Sequence, residues 1–268
     1  MIRADLHIHS RVSDGSDSIK EILKTAEEKE LDYIAITDHD TVSHFSQIPQ
    51  DTKVKVIRGV ELSAVDKNNG LRAHILGYNI EKPDLITELT QHILETRNSN
   101  SEKQAEILKR YGFHIDMDKL ARADGKYLYK QHIMDYLVST KQVAEMFGLF
   151  YRSVFKNNGV CAFDIEYLDV IEAVKTIKSA GGQAVLAHSG QQQNFYLVPI
   201  LAAEGLDGLE INHHANSEKD RNIIREYALD YGLFLTGGSD YHGRYEPQPF
   251  GIGDFLSEES GVKAVCRI

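Results

Sequence analysis

Hydrophobic and polar positions alternate along the chain in two patterns. Short apolar runs rich in β-branched residues predict buried strands, and apolar residues that recur at helical spacing predict amphipathic helices. Seven strands are predicted, near 2–8, 33–37, 54–60, 73–78, 184–187, 208–211 and 233–236. Helices are predicted between them at 18–30, 165–180 and 217–231, the first with Ser18 as its cap. This order of elements predicts a parallel α/β domain.

The segment 83–163 interrupts the alternation. Helical spacing recurs within it at 85–111, 131–138 and 143–155, and no strand pattern is present. We therefore expect a discontinuous barrel domain formed by 1–82 and 164–268, with 83–163 as a helical insertion (lid) domain. No linker rich in glycine, proline or serine flanks the insertion, so we expect it to pack on the barrel.

The composition excludes several classes of protein. The 268 residues are 42% hydrophobic and 26% charged, which supports a packed core and excludes a disordered chain. No stretch reaches the roughly 20 apolar residues of a membrane span, and the N-terminus lacks a signal-peptide pattern. Two cysteines are too few for a disulfide framework or a four-cysteine zinc site. We expect a cytoplasmic protein without a membrane partner.

The charge of the chain is distributed unevenly. Thirty Lys and Arg against forty Asp and Glu give a net charge of −10. Residues 100–160 hold ten basic and seven acidic residues, a local +3, which leaves −13 for the remainder. Because long duplex nucleic acid requires an extended basic surface, this acidic body argues against such a partner.

Histidine and carboxylate side chains recur where the predicted strands end. They follow six of the seven strands, as His7 and His9, Asp38 and His39, Glu61, His188, Asn212 and His213, and Asp240 and His242. In barrel-like α/β folds the carboxyl ends of the strands form the active-site face. The pattern therefore predicts one polar site to which most strands contribute.

Two of these pairs have a spacing suited to metal binding. Residues i and i+2 of a strand project to the same face, so His7 and His9 can reach one ion. Asp240 and His242 repeat this spacing, and Glu61 could bridge two ions through its two oxygens. Imidazole and carboxylate ligands without thiolate suit Mn²⁺, Fe²⁺ or Zn²⁺, and the sequence does not choose among the three.

The remaining histidines are interpreted by their position. Either of the adjacent His213 and His214 is a candidate to line the pocket. His74, within a strand, and His132, within a helix, are assigned structural roles on position alone. The others are expected at the surface or between helices, namely His44, His92 and His114. No Gly-x-x-x-x-Gly-Lys-Ser/Thr phosphate loop, dinucleotide-binding glycine motif after a strand, or Gly-x-Ser-x-Gly nucleophile elbow is present.

Taken together, these motifs resemble those of the polymerase and histidinol phosphatase (PHP) family of metal-dependent phosphoesterases. The matching segments run in family order across nearly the whole chain, as Asp5-Leu-His7-Ile-His9-Ser10, Ser13-Asp14-Gly15, Ile36-Thr-Asp38-His39-Asp40, Gly59-Val-Glu61, Ala73-His74-Ile-Leu-Gly77, Ala187-His188 and Gly238-Ser-Asp240-Tyr-His242. The chain is most similar to a subgroup that has a helical insertion and acts on nucleotides or RNA 5′ ends. The resemblance implies a distorted seven-stranded TIM-like barrel, in agreement with the predicted strands.

The resemblance also implies two or three divalent ions and their ligands. One ion would take His7, His9, Glu61 and Asp240, a second Glu61, His74 and His132, and a third Asp14, His39 and His242. His188 is expected to contact the phosphate or the leaving group, although Ser189 stands where proline is common in the family. Arg11 and Lys130 are candidate phosphate clamps.

The expected activity is hydrolysis of a phosphate monoester or diester by a hydroxide bound to the metal ions. His188 and Arg11 are the candidate catalytic residues, and Lys130 and His213 are further candidate substrate contacts. The expected substrate is AMP, a 3′,5′-bisphosphorylated nucleotide or a short 5′-phosphorylated oligonucleotide. Three alternatives stay open: a 5′-3′ exoribonuclease on longer RNA, an amidohydrolase-like metal hydrolase, and a non-catalytic metal-binding regulatory module.

Overall fold

The computed structural model describes residues 2–120, 127–245 and 250–268 and shows a nearly closed barrel with helices outside it. Its strands are β1 (Ala4–Ile8), β2 (Tyr33–Ile36), β3 (Lys55–Val65), β4 (Arg72–Tyr78), β5 (Leu168–Asp169), β6 (Gln183–Leu186), β7 (Gly208–Asn212) and β8 (Phe234–Gly237). All except β5 follow one another around the barrel in the order β1-β2-β3-β4-β6-β7-β8. The predicted seven-stranded barrel is confirmed, since these are the seven strands expected from the apolar runs.

One strand of the barrel runs against the others. β1, β2 and β3 are parallel, as are β6, β7 and β8, but β4 is antiparallel to both of its neighbours. The expectation of a parallel sheet is therefore wrong for β4. The cause is the link at 66–71, because parallel strands need a crossover of about a dozen or more residues. The start of β4 consequently lies beside the carboxyl end of β3.

The barrel closes where β1 meets the residues that follow β8. The His9 N–H donates to the Tyr241 carbonyl over 2.9 Å, and Ile8 and Tyr241 form a parallel bridge. Gly238 permits this approach, since a Cβ at that position would overlap the backbone of His7. The loop after β8 is thereby held against the end of β1.

Nine α-helices surround the sheet in the described ranges. They are α1 (Ile19–Glu28), α2 (Pro83–Arg110), α3 (Lys130–Ser139), α4 (Leu149–Phe155), α5 (Val170–Ser179), α6 (Ser189–Gln192), α7 (Leu197–Ala203), α8 (Glu218–Tyr231) and α9 (Glu259–Cys266). Ser18 and Ser217 begin α1 and α8 with capping boxes, as a serine before an amphipathic run predicts. None of the helices in these ranges has the length and apolar character needed to cross a membrane.

Two helices are shorter than expected. The helix predicted at 165–180 begins only at α5, because Leu168–Asp169 pairs with β3 as the short strand β5 and Asp169 caps the helix. The helix predicted at 143–155 is present only as α4. In both cases a helical spacing of apolar residues extends beyond the helix itself.

The helical segment after β4 has a core of its own. The first half of α2 packs on the barrel, where Ile86 and Ile93 join the main core. Its second half contributes Leu108 to a separate cluster with α3 and α4, and that cluster buries Tyr151 and Phe155. One continuous helix of 28 residues therefore belongs to both cores and connects this segment to the barrel.

Candidate metal centre

Eight of the predicted ligands converge at the end of the barrel where β1 and β2 terminate, beside Glu61, which lies within β3. They are His7, His9, Asp14, His39, Glu61, His74, Asp240 and His242, which form three overlapping groups among the described residues. His74 belongs to this set because the antiparallel strand β4 begins at this end of the barrel. Its place within a strand therefore does not indicate a structural role.

The first group consists of His7, His9, Glu61 and Asp240. The Nε2 atoms of His7 and His9 lie 3.1 Å apart. His9 Nε2 is 3.1 Å from both Glu61 Oε2 and Asp240 Oδ1, and His7 Nε2 is 3.3 and 3.2 Å from the same two oxygens. Ligands about 2 Å from a tetrahedral ion are a little more than about 3 Å from one another. This group has the dimensions of a cage for one small divalent ion.

The second group consists of His9, Asp14, His39 and His242. Asp14 Oδ1 lies 3.5 Å from His242 Nε2 and 3.9 Å from His9 Nδ1, and Asp14 Oδ2 lies 4.0 Å from His39 Nε2. His9 thus belongs to both the first and the second group. The family resemblance implies only Asp14, His39 and His242 for this ion, so His9 is an additional candidate ligand.

The third group consists of His39, Glu61 and His74. Glu61 Oε1 lies 2.9 Å from His74 Nδ1, and Glu61 Oε2 lies 3.2 Å from His39 Nδ1. His188 Nε2 is also 3.0 Å from Glu61 Oε1. Since Oε2 faces the first group as well, Glu61 presents its two oxygens to different ligand groups, which is the geometry expected of a bridging carboxylate.

The buried atoms at the centre fit divalent cations. Within the described chain, His9 Nδ1, Asp14 Oδ1, His39 Nδ1 and Glu61 Oε2 are buried without a hydrogen-bond partner. Burial of unpaired polar atoms is costly unless another charge compensates for it. Oxygen and imidazole donors without thiolate suit Mn²⁺, Fe²⁺ or Zn²⁺. The residues present therefore fit the cofactor class that the sequence predicts.

The protonation states of two of the ligands, His39 and Glu61, suit metal binding. Burial lowers the pKa of His39 to about 3, so its imidazole is neutral at physiological pH. Burial also disfavours the Glu61 carboxylate, but the surrounding imidazoles outweigh this effect and hold the pKa of Glu61 well below its usual range. Neutral imidazoles and ionised carboxylates are the forms that bind metal ions.

A buried carboxylate that the sequence analysis missed orients His7. Glu210 on β7 accepts hydrogen bonds from His7 Nδ1 and from the His188 N–H, both over 2.9 Å. Because Nδ1 of His7 donates to Glu210, Nε2 is the ring nitrogen that faces the first group, an arrangement typical of histidine ligands backed by a carboxylate. The signal in the sequence was a single glutamate within an otherwise apolar strand.

His213 holds Asp240 by a hydrogen bond to the carboxylate oxygen that does not face the first group. His213 Nδ1 accepts from the Ala215 N–H over 3.1 Å, so its Nε2 carries the proton and donates to Asp240 Oδ2 over 3.3 Å. Asp240 Oδ1 is then available to the first group. Of the two adjacent histidines, His214 lines the cavity beside the ligands and His213 does not.

Asp38 and His44 hold the loop that carries two of the ligands. Asp38 accepts from the Ser10 N–H over 2.8 Å and from Ser13 Oγ over 2.7 Å. His44 Nδ1 lies 3.1 Å from Asp38 Oδ2. The expectation that His44 lies at the surface or between helices is wrong, since it is fully buried at this loop.

Three predicted residues lie apart from the ligand groups. His132 is buried at the start of α3, where its Nδ1 accepts from the Tyr129 N–H over 3.2 Å, and it belongs to none of the groups in the described chain. Lys130 lines a small neighbouring cavity with its Nζ 4.0 Å from Asp164, and burial lowers its pKa to about 8. Arg11 is not among the residues that line the ligand cavity.

The ligand groups form one wall of an open cavity of about 320 Å³. The rest of its lining comes from Gln131, Phe147, His188, Gln191, His214 and Tyr245. Gln131 and Phe147 lie in the segment 83–163, so this segment forms part of the wall. Cavities of about 300–1,000 Å³ accommodate small molecules.

Known proteins resemble this chain over nearly its whole length. A family model described as the PHP domain matches residues 5–185. A phosphoribosyl 1,2-cyclic phosphate 1,2-diphosphodiesterase from Eggerthella lenta is 38% identical over 91% of this chain and 96% of its own. A 5′-3′ exoribonuclease from Haemophilus influenzae is 29% identical over 89% of each chain. A crystal structure from Bifidobacterium adolescentis, of a proposed metal-dependent phosphoesterase, has a TM-score of 0.86 at 25% identity and covers 98% of this chain and 96% of its own.

Proposed function

The chain belongs to the PHP domain family and is a metal-dependent phosphoesterase, and on that premise we propose that it hydrolyses phosphate esters of small ribose compounds. These include nucleotides, as expected from the motifs, and a cyclic phosphodiester of phosphoribose, the substrate class in the name of the Eggerthella relative. The class of reaction expected from the sequence is confirmed by the family, and the choice of substrate is the proposal.

The observation that carries the proposal is the position of Glu61. It lies between overlapping ligand groups at the wall of a cavity of about 320 Å³. A cavity of this size holds one phosphate and its ribose, whereas a long RNA needs an extended groove with regularly placed cations and aromatic rings.

We further propose that the groups hold two or three divalent ions of Mn, Fe or Zn. When bound, such ions polarise the phosphate oxygens and lower the pKa of water, so that a nucleophile exists at neutral pH. The chain itself supplies the fixed ligands, and Glu210 and His213 hold two of them, His7 and Asp240, in the productive orientation.

His188 is proposed as the group that protonates the leaving oxygen. It lines the cavity, its backbone N–H is held by Glu210, and its Nε2 lies 3.0 Å from Glu61 Oε1. Burial disfavours its charged form, but the hydrogen bond with Glu61 and the negative charges of Glu61, Asp240 and Glu210 together outweigh burial and raise the pKa of His188 above its usual value. A protonated imidazole at this position can act as a general acid.

Lys130 and Arg11 are proposed to contact phosphate groups of the substrate, and the structure supports Lys130 more directly than Arg11. The cavity that contains Lys130 shares Gln131 with the ligand cavity, so a second phosphate of the substrate could reach this lysine. The proposal for Arg11 rests on its position two residues after His9.

Cleavage of RNA from its 5′ end is a second candidate function, favoured by a neighbouring cleft. This cleft of about 480 Å³ shares Phe147 and Tyr245 with the ligand cavity and also contains Arg152 and Arg244. Aromatic rings stack on bases and arginines neutralise phosphates along a single strand. A short oligonucleotide could therefore extend from the ligand cavity into the cleft.

The test is product analysis after incubation of a matched set of substrates with Mn²⁺, which measures inorganic phosphate from monoesters, the ring-opened monoester from the cyclic diester, and mononucleotides from RNA. The set contains phosphoribosyl 1,2-cyclic phosphate, AMP, a 3′,5′-bisphosphorylated nucleotide, a 5′-phosphorylated RNA pentamer and a long 5′-phosphorylated RNA. We expect turnover of the small esters and little or none of the long RNA. Preferential release of mononucleotides from the long RNA would replace the proposal with the second candidate.

The variant Glu61→Gln tests in the same assay whether the proposed metal site is responsible for turnover. Loss of an outer-shell partner of a metal typically lowers activity by up to about 100-fold. Because Glu61 is itself a proposed ligand, we expect turnover to fall by more than this. Glu88→Gln, at an exposed position of α2, is the control and should behave as the wild type. Unchanged turnover and metal content in Glu61→Gln would be incompatible with the proposed site.

A further inference from the structure

We propose that Arg97, Tyr129 and Gln131 are positioning residues for the second metal group, and that the helical segment thereby controls metal occupancy chiefly at that group. The inference rests on the metal ligands proposed above. It assigns to the segment 83–163 a function beyond that of a lid, because its side chains hold the ligand loops of the barrel directly.

Arg97 on α2 holds the turn that follows His39. Its guanidinium donates to Asp40 Oδ2 over 2.6 Å, and the Ser63 N–H donates to Asp40 Oδ1 over 2.8 Å. Asp40 has a φ of 57°, in the left-handed region that an aspartate adopts only where its surroundings stabilise it. The ion pair with Arg97 is largely buried, so its loss would leave an uncompensated charge beside the ligand loop.

Tyr129 holds the same turn one residue earlier. Its hydroxyl donates to the His39 carbonyl over 3.0 Å, and its ring is buried beneath the guanidinium of Arg97, 5.1 Å from the ring centroid. The backbone of His39 and the side chain of Asp40 are therefore held by two neighbouring side chains of the helical segment. This arrangement fixes the backbone from which the His39 imidazole projects.

Gln131 holds the other loop of the second group. Its Nε2 donates to Asp14 Oδ2 over 2.8 Å. The second carboxylate oxygen, Oδ1, is buried without a hydrogen-bond partner in the described chain and lies 3.5 Å from His242 Nε2. The amide of Gln131 therefore engages Oδ2 of Asp14 and leaves Oδ1 facing His242 and His9.

The first metal group is supported differently. His7 and Asp240 are held by Glu210 and His213, which belong to the barrel. A change in the helical segment should therefore weaken binding at the second group and leave the first group unchanged. Because His39 also belongs to the third group, binding there should weaken to a smaller extent.

The experiment measures Mn²⁺ binding to protein stripped of metal by a chelator, with free Mn²⁺ followed by its electron paramagnetic resonance signal. The double variant Tyr129→Phe/Gln131→Met removes both hydrogen bonds and keeps the size of the side chains. We expect one class of sites to lose about 10- to 100-fold in affinity, as is typical when outer-shell partners of a metal are removed, with at least one other class unchanged. The matched control is Tyr136→Phe/Gln91→Met, at other positions of α3 and α2.

Three results would overturn the inference or its premise, and they are distinguishable. An isotherm identical to that of the wild type would overturn the inference and leave the ligand proposal intact. Equal weakening of every class, with a lower Tm, would show that the segment supports the fold in general and not one metal group. A wild-type protein that binds no Mn²⁺ would overturn the ligand proposal itself. If the double variant fails to fold, Tyr129→Phe alone tests the same prediction, since it removes one oxygen atom and keeps the buried ring.

Discussion

Replacement of Glu210 by glutamine should weaken metal binding although this residue is not a proposed ligand. The Glu210 carboxylate accepts two hydrogen bonds, one from His7 Nδ1 and one from the His188 N–H. A glutamine offers a single oxygen and an NH₂ group in the same space. If its oxygen faces the His188 N–H, its NH₂ faces His7 Nδ1, and the imidazole must shift its proton to Nε2, where it points at the metal group.

The magnitude follows from this exchange of tautomers. The other orientation of the amide places its NH₂ against the His188 N–H, which leaves two donors facing each other in a buried site. Neither orientation reproduces the native pattern. Loss of an outer-shell carboxylate costs about 10- to 100-fold in metal affinity, which corresponds to about 1.4–2.7 kcal/mol. We expect Glu210→Gln to fall within this range at the first metal group.

The assay is titration of the chelator-stripped protein with Mn²⁺, followed by phosphate release from the best substrate at saturating Mn²⁺. Glu218→Gln, at an exposed position of α8, is the matched control, because it makes the same chemical change away from the site. The reasoning would be refuted by a Glu210→Gln variant with the affinity and turnover of the wild type. Reduced turnover that excess Mn²⁺ restores would place the whole effect in metal binding.

Three further predictions follow from the same geometry. His74→Ala should remove a ligand from the third group only, so metal analysis should show partial and not complete loss of bound ions; full occupancy would exclude His74 as a ligand. Gly238→Ala should lower the free energy of unfolding by about 1–3 kcal/mol, the cost typical of overpacking, because the added Cβ overlaps the backbone of His7; an unchanged Tm would contradict this. Burial raises the pKa of Cys161 to about 11, so at pH 8 the thiol stays protonated and the native protein should resist iodoacetamide until the pH approaches that value or the chain unfolds. Rapid alkylation of the native protein at pH 8, detected by mass spectrometry, would show that the thiol is accessible and ionised.

The direction of β4 was within reach of the sequence. The predicted strands left a gap of twelve residues at 61–72, but this gap contains Asn69-Gly70, a dipeptide typical of tight turns, and in the structure β3 extends to Val65, so that the link spans only 66–71. A link of this length cannot contain a crossover helix, so it implies an antiparallel pair. With that inference, His74 would have been placed at the ligand end of the barrel without any family resemblance.

The residues that hold the ligands in place could not be predicted from the sequence in this way. Glu210 lies in an apolar strand, where the pattern alone indicates a core position. Arg97 and Gln131 are separated from Asp40 and Asp14 by 57 and 117 residues along the chain. Ordinary surface helices carry arginine and glutamine at many positions, so nothing local distinguishes these two. Their partners depend on how α2 and α3 pack against the barrel.

The local pattern of the chain was sufficient for the barrel and for most of the ligands. A strand buried on both faces requires a run of apolar residues, and metal binding requires histidine and carboxylate residues near the ends of such runs. Both features can therefore be recognised within short segments of the sequence. The pairing of each carboxylate oxygen, the tautomer of each histidine and the second role of the helical segment depend on contacts between residues far apart in the chain. These contacts exist only once the elements pack, because hydrogen bonds and charge pairs are set by distance in space and not by spacing along the sequence.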